Sequence, residues 1–474
     1  MKLEHIKTCI LTVLFIVSIL LCQKLMTGIS FNTNFLFNPK TTVASIKYKE
    51  ADFIAPEKYI VNYSEQNHKV IYSNEKYKLW ELSQTALTKF LQDKDIIIED
   101  QGAFNGEIIS EMYVQKSLLI KLDQEMDFRF INSLLDIQNG NKIYKKIKSI
   151  DTIYFYLGTD EYMMLANNSQ YIKIKSDNYK LRELSRVIDA IKSDEELTKY
   201  YPGDAILFIG EEKRDVFVPV NITKKISNPY VIDYISQNET EEIINQFFDK
   251  DINYVRKIVQ GDDTRIYMYA QDSLVVKGNG VIEYYGNLKE TVFESDLYVS
   301  FSSAINFIAR KTKFIEEIYL KSIEDVKDGE SEGYKFGFSY KINHKPVELS
   351  VKSKNLNYPI EVVVYGDKVI QYKSCLREVG PNTKPFKIMS PKEVIETNFN
   401  YIFSDFQNND SNEEVMNKEE FLKNINNIYF KYYDLIEENP LGRLTAAWVM
   451  EIGNNIYVYD AKNGKLIEKN LSVH

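Results

Sequence analysis

Between Lys7 and Lys24 the chain carries sixteen uncharged residues, TCILTVLFIVSILLCQ, and no other apolar run approaches membrane length. A helix crossing a bilayer core needs about 20 mostly apolar residues, and Leu25, Met26 and Ile29 extend the run once Lys24 turns outward. Small residues of a cleavage site do not follow it, and Leu21, where a lipoprotein needs a small residue, precedes Cys22. Residues 1–29 are therefore expected to be an uncleaved anchor. Lys2, His5 and Lys7 before the run place the N-terminus in the cytoplasm, so the bulk of the chain lies outside the membrane. On a helix of about 100° per residue, Thr8, Thr12, Ser18 and Cys22 share an arc of roughly 120°. Small and hydroxyl side chains let membrane helices approach closely, which makes this arc the candidate interaction face.

A net charge of −9 leaves no basic footprint for nucleic acid. With Cys9 and Cys22 in the anchor, Cys375 is alone in the remainder, so no disulfide can form within it. The four histidines stand far apart and no CxxC or HExxH occurs, so neither metal nor cofactor is expected. The 34 tyrosines and 26 phenylalanines fit strand packing.

Beyond the anchor, residues 30–45 form a polar tether. Residues 46–200 read as an α+β domain: short strands, a helix bearing Leu79, Ser83, Leu87 and Phe90 on one face, a strand over residues 108–122, Tyr- and Ile-rich strands, and a helix with Leu184, Ile188 and Ile191 on its stripe. Residues 201–290 read as a β-rich middle domain, with a capping box at Asn238 and Glu241 and a hairpin turn at Gly278-Asn279-Gly280. Residues 291–474 read as a second α+β domain. Its sharpest signal is Ser390-Pro391-Lys392-Glu393, an N-cap, a proline at the first helical position and a glutamate reaching back. Residues 421–436 fit helix and strand equally. The expected fold class is thus α+β: a transmembrane helix, then an extended three-domain ectodomain of mixed and antiparallel sheets with packed helices.

Two enzyme motifs offer the alternative of a membrane-tethered serine hydrolase or penicillin-recognising enzyme. Gly329-Glu330-Ser331-Glu332-Gly333 satisfies G-x-S-x-G, but a nucleophile elbow needs a helix after the serine, and an acidic loop leading into a strand stands here. Ser73-Asn74-Glu75-Lys76 and Ser176-Asp177-Asn178 imitate two boxes of the penicillin-recognising enzymes. Lys311-Thr312-Lys313 lacks the glycine of the third, where substrate must approach strand backbone. The reading is therefore non-enzymatic.

Four stretches carry a family resemblance: EHIKTCILTVLFIVSILL, FFDKDINYVRKIVQGDDTRIYMYAQDSLVVKGNGVIEYY, GYKFGFSYKINHKPVEL and IEVVVYGDKVIQYK. In their order, and in the overall length of the chain, they resemble the YycH (WalH) family of membrane-anchored regulators. The resemblance implies a single-pass protein of the cell membrane regulating the YycG/YycF (WalK/WalR) two-component system of cell-wall homeostasis. It also implies that the C-terminal part is YycI- or PepSY-like, and that the partners are the histidine kinase YycG/WalK and the companion regulator YycI/WalI.

Overall fold

Alternating side chains in the first two hundred residues build a sheet that is apolar on both faces. Tyr59 and Val61 enter one core and Ile60, between them, enters another; Ile153 and Phe155 divide from Tyr154 in the same way. The computed structural model describes residues 48–471, apart from 74, 138–140, 208–215, 220–221, 223–224, 234–243, 245–246, 249–253, 262–263, 313–317, 351, 353–355, 410–417 and 437–441. The anchor, with Thr8, Thr12, Ser18 and Cys22, and the capping box of Asn238 and Glu241 lie outside the described residues. Among the described residues no helix is long and apolar enough to cross a membrane.

The first sheet contains β1 (Tyr59–Ser64), β2 (Asn67–Ile71), β3 (Ile97–Ala103), β4 (Ser117–Asp127), β5 (Ser149–Tyr156), β6 (Tyr162–Ala166), β7 (Gln170–Lys175), β8 (Lys199–Pro202) and β9 (Phe217–Pro219). Their order is β3-β7-β6-β5-β4-β1-β2-β8-β9, antiparallel throughout. Helices α1 (Leu79–Gln92), α2 (Gly106–Val114), α3 (Phe128–Leu134) and α4 (Arg182–Ser193) belong to this part. Leu87 and Phe90 of α1 join Ile188 of α4 in one core, and Met112 and Tyr113 of α2 pack with Ile60 and Tyr154 in the other. Helix α2 corrects the strand expected over residues 108–122. The Asn105 side chain accepts from Ile108 N at 3.2 Å and opens a helix, and the strand begins only at Ser117. Ile108, Ile109, Met112 and Tyr113 are spaced as one helical face, a period hidden by the β-branched content around it.

The second sheet collects β11 (Arg256–Val259), β12 (Arg265–Tyr269), β13 (Asp272–Val276), β14 (Ile282–Tyr285), β15 (Ile318–Asp328), β16 (Ser331–Ile342), β17 (Lys345–Leu349), β18 (Ile360–Tyr365), β19 (Lys368–Ser374), β21 (Ile425–Asp434), β22 (Thr445–Ile452), β23 (Asn455–Asp460) and β24 (Leu466–Leu471). Strands β10 (Pro229–Asp233) and β20 (Arg377–Asn382) pair separately. The order β11-β12-β13-β14-β19-β18-β16-β17-β21-β22-β23-β24, with β15 on β16, joins the strands of residues 256–285 to those of the C-terminal part in one sheet. Only β17 and β21 run parallel among its named pairings. Residues 421–436 resolve into the end of a short helix, Lys418–Leu422, followed by β21.

Helix α5 (Leu297–Lys311) starts at Asp296, whose carboxylate accepts from Val299 N, and buries Phe301, Ala304, Ile305 and Ile308. Helix α6 (Pro391–Asn409) opens on the expected reciprocal cap: Ser390 Oγ accepts from Glu393 N at 3.3 Å, and Glu393 Oε2 accepts from Ser390 N at 2.6 Å. The chain from Tyr48 onward forms one compact unit. A single core spans both sheets, with Phe130 of α3 meeting Phe301 of α5 edge to face at 5.1 Å.

Candidate functional site at the junction of the sheets

Charged side chains gather where the two sheets meet, a place that costs free energy unless every charge is answered. Glu57, just before β1, is 6% exposed. Its carboxylate accepts from Lys321 Nζ of β15 at 3.2 Å and lies 3.4 Å from Lys431 Nζ of β21. Lys321 also donates to Asp123 of β4 at 2.5 Å, and Lys431 to Glu348 of β17. The ammonium of Lys58 sits 4.7 Å from the centre of the Tyr429 ring, and that of Lys431 sits 4.9 Å from it. Around this centre, Lys341 donates to the carbonyls of Pro56 and Tyr72, at 3.3 and 2.8 Å, and Gln124 Oε1 accepts from Ile323 N at 2.7 Å. Tyr48 OH donates to Asn306 Oδ1 at 2.9 Å, and Ser302 of α5 donates to Glu50.

The electrostatics follow from this alternation. Burial would raise the Glu57 carboxyl, but Lys431, Lys321 and Lys58 outweigh it and hold the group below the usual carboxylate range. Burial would likewise depress Lys321 and Lys431. Asp123 and Glu57 overcome it for the first, Glu348 and Glu57 for the second, and both ammoniums are held above their ordinary values. Asp123 is raised by burial and by Glu57, against the pull of Lys321. The junction can fasten two sheets together.

No family model matches the sequence, and no curated protein matches it. The fold is similar to that of YycH from Bacillus subtilis. The two align with a TM-score of 0.49 and 13% identity, over 89% of this chain and 96% of that one. The Bacillus megaterium YpeB C-terminal domain aligns with a TM-score of 0.23 and 13% identity, over 51% of this chain and 99% of that domain. Neither alignment assigns a residue role or a partner here.

The enzyme motifs are occupied by structure. Gly329, at φ +58°, makes the tight turn between β15 and β16. A Cβ on Gly333 would stand 2.3 Å from the Val364 carbonyl oxygen, so both glycines of G-x-S-x-G serve the sheet. Ser331 is buried, and its Oγ accepts from Val292 N at 3.1 Å. His344 lies in the turn beyond the far end of β16, 3.3 Å from Glu75. At about 3.3 Å per residue the strand holds it on the order of 35 Å from Ser331. Ser73 Oγ accepts from Glu75 N at 3.2 Å. Ser176 and Asn178 donate to Asp93 at the end of α1, at 2.5 and 2.9 Å, fastening the turn before α4. A fluorophosphonate or a fluorescent penicillin is therefore expected to leave the protein unlabelled, and labelling abolished by Ser331→Ala or Ser73→Ala would overturn this assignment.

Sequence reasoning identified none of the junction residues. Lys321 and Lys431 stand in ordinary charged strand sequence, and Glu57 stands just before a strand. Nothing in their neighbours marks them as buried.

Proposed function

We propose that this protein is a non-enzymatic, membrane-anchored regulator of a two-component system acting on cell-wall homeostasis. Residues 1–29 hold it in the cell membrane with a cytoplasmic N-terminus, and the rest of the chain is extracytoplasmic. Its partners are the sensor histidine kinase YycG/WalK and the companion regulator YycI/WalI. The observation that carries the reading is the sequence resemblance, whose stretches run from the anchor to β19 in the order of one family. It is supported by the places of the motif serines, Ser331 bonded to the Val292 N–H within a strand and Ser73 and Ser176 bonded within turns. The ectodomain, fastened across its two sheets, offers the kinase a body that moves as a unit, and Thr8, Thr12, Ser18 and Cys22 face a partner helix within the bilayer.

Replacing Thr12 and Ser18 together by leucine is expected to weaken association with the kinase in a membrane two-hybrid assay, while replacing Leu11 and Leu14 by valine leaves it unchanged. Equal losses from both pairs would remove the contact face. Failure of the wild-type chain to co-purify from membranes with either partner would remove the regulatory reading itself.

A further inference from the structure

The protein carries more acid than base, and several lysines of its sheets are answered by carboxylates, as at Lys173, Lys175, Lys277 and Lys335. One place departs from this. Between the outer face of α5 and the ends of the β13–β14 and β18–β19 hairpins lies an open cleft of about 390 Å³, and Lys289, Arg310 and Lys368 all line it. Among the described residues none of the three has a carboxylate within ion-pair reach. Arg310 Nε donates to the Asn306 carbonyl one helical turn back, at 3.1 Å, which fixes the plane of the guanidinium and leaves its terminal nitrogens for another acceptor. The cleft contains two acids. Asp272 accepts from the hydroxyl of Tyr284 at 3.3 Å and from Asn287 N at 3.2 Å, so neutral donors orient its oxygens while its charge stays, and three cations face two carboxylates. Asp367 stands beside Lys368 in the turn after Gly366. The floor is formed at Gly286, where a Cβ would approach the Tyr284 hydroxyl at 3.1 Å and the Val369 carbonyl at 3.3 Å.

A planar guanidinium of fixed orientation recognises carboxylate and phosphate oxygens two at a time, and lysines add charge with little demand on geometry. The volume is that of a small-molecule site, and the polar lining suits a hydroxylated ligand. We propose that this cleft binds a small oxyanion, a sugar acid or a sugar phosphate, with its charged group on Arg310, Lys289 and Lys368 and a hydroxyl toward Asp367. This site goes beyond the regulatory reading and does not depend on it.

The test is titration calorimetry of the full-length protein in detergent at low ionic strength with glucuronate, glucose 6-phosphate and glucose. One or both anions are expected to bind and glucose is not; binding of glucuronate alone assigns a carboxylate ligand, and of glucose 6-phosphate alone a phosphate ester. Arg310→Gln, a change at an exposed helix position, is expected to weaken binding at least tenfold. Lys465→Gln, outside the cleft, leaves it unchanged. The proposal is overturned if neither anion binds, if glucose binds as well as they do, or if Arg310→Gln binds as the wild type does.

Discussion

Glu57→Ala is expected to lower the unfolding free energy by about 3 kcal/mol and to uncouple the two sheets. Removing one member of a buried ion pair typically costs about 3–5 kcal/mol, because the partner charge stays buried and unanswered. The lower end applies here, since Lys321 keeps Asp123 and Lys431 keeps Glu348. The two tryptophans make the uncoupling visible. Trp80 lies in α1 against the first sheet, and Trp448 lies in β22 of the second. In urea, single-tryptophan versions of the wild type should unfold at one midpoint, and with Glu57→Ala they should separate. Coincident midpoints with a loss under about 1 kcal/mol would mean the junction does not fasten the sheets.

Acid should act in the same direction. The Glu57 carboxyl is held below its ordinary value, so its contribution is complete above the unfolded glutamate pKa of about 4.3 and is lost as pH falls through the folded value. Asp123, raised in the folded protein, acts with the opposite sign: its ionisation costs stability at neutral pH, and protonation relieves that cost. The Glu57→Ala protein should therefore lose less stability than the wild type between neutral pH and pH about 3.

Arg377→Leu is expected to cost about 3–5 kcal/mol, the full penalty for leaving a buried carboxylate alone. Arg377 Nε donates to Asp434 Oδ2 at 2.9 Å with both side chains almost wholly enclosed, at 5% and 2% exposure. Its Nη1 donates to the Asn279 carbonyl at 2.9 Å, so one guanidinium ties β20 and the end of β21 to the β13–β14 turn. Without it, among the described residues, Asp434 keeps the Ile436 N–H, at 3.0 Å, beside the buried Tyr340 ring. Arg377→Lys should recover a minority of the loss, because an ammonium cannot serve both acceptors in the guanidinium plane. The double change Arg377→Leu and Asp434→Leu should recover most of it, since an apolar pair of similar volume removes the stranded charge. Urea midpoints for the four proteins decide the matter. A double variant as unstable as the sum of its parts would show that packing, and not charge, holds this corner.

Periodicity and capping chemistry within short windows placed most of the elements. The stripe of Leu79, Leu87 and Phe90, the reciprocal cap at Ser390 and Glu393, and the positive φ at Gly280, Gly366 and Gly464 are settled by residues within a turn or two of one another. Helix α2 escaped that reading because its isoleucines suit either period, and burial of Met112 and Tyr113 against the first sheet decided it. The enzyme motifs were legible as motifs, and their neighbouring loops already argued against chemistry. Only the sheet showed that Gly333 is needed beneath the Val364 carbonyl. Which strands became neighbours left no local trace. Lys321 and Glu57 are 264 positions apart and Arg377 and Asp434 are 57 apart, and a lysine on a strand reads the same in sequence whether water or a second sheet lies above it. Burial is a property of the assembled layers, so the charge junction and the cationic cleft were decided only when β15, β21 and α5 came to rest against residues far away in the chain.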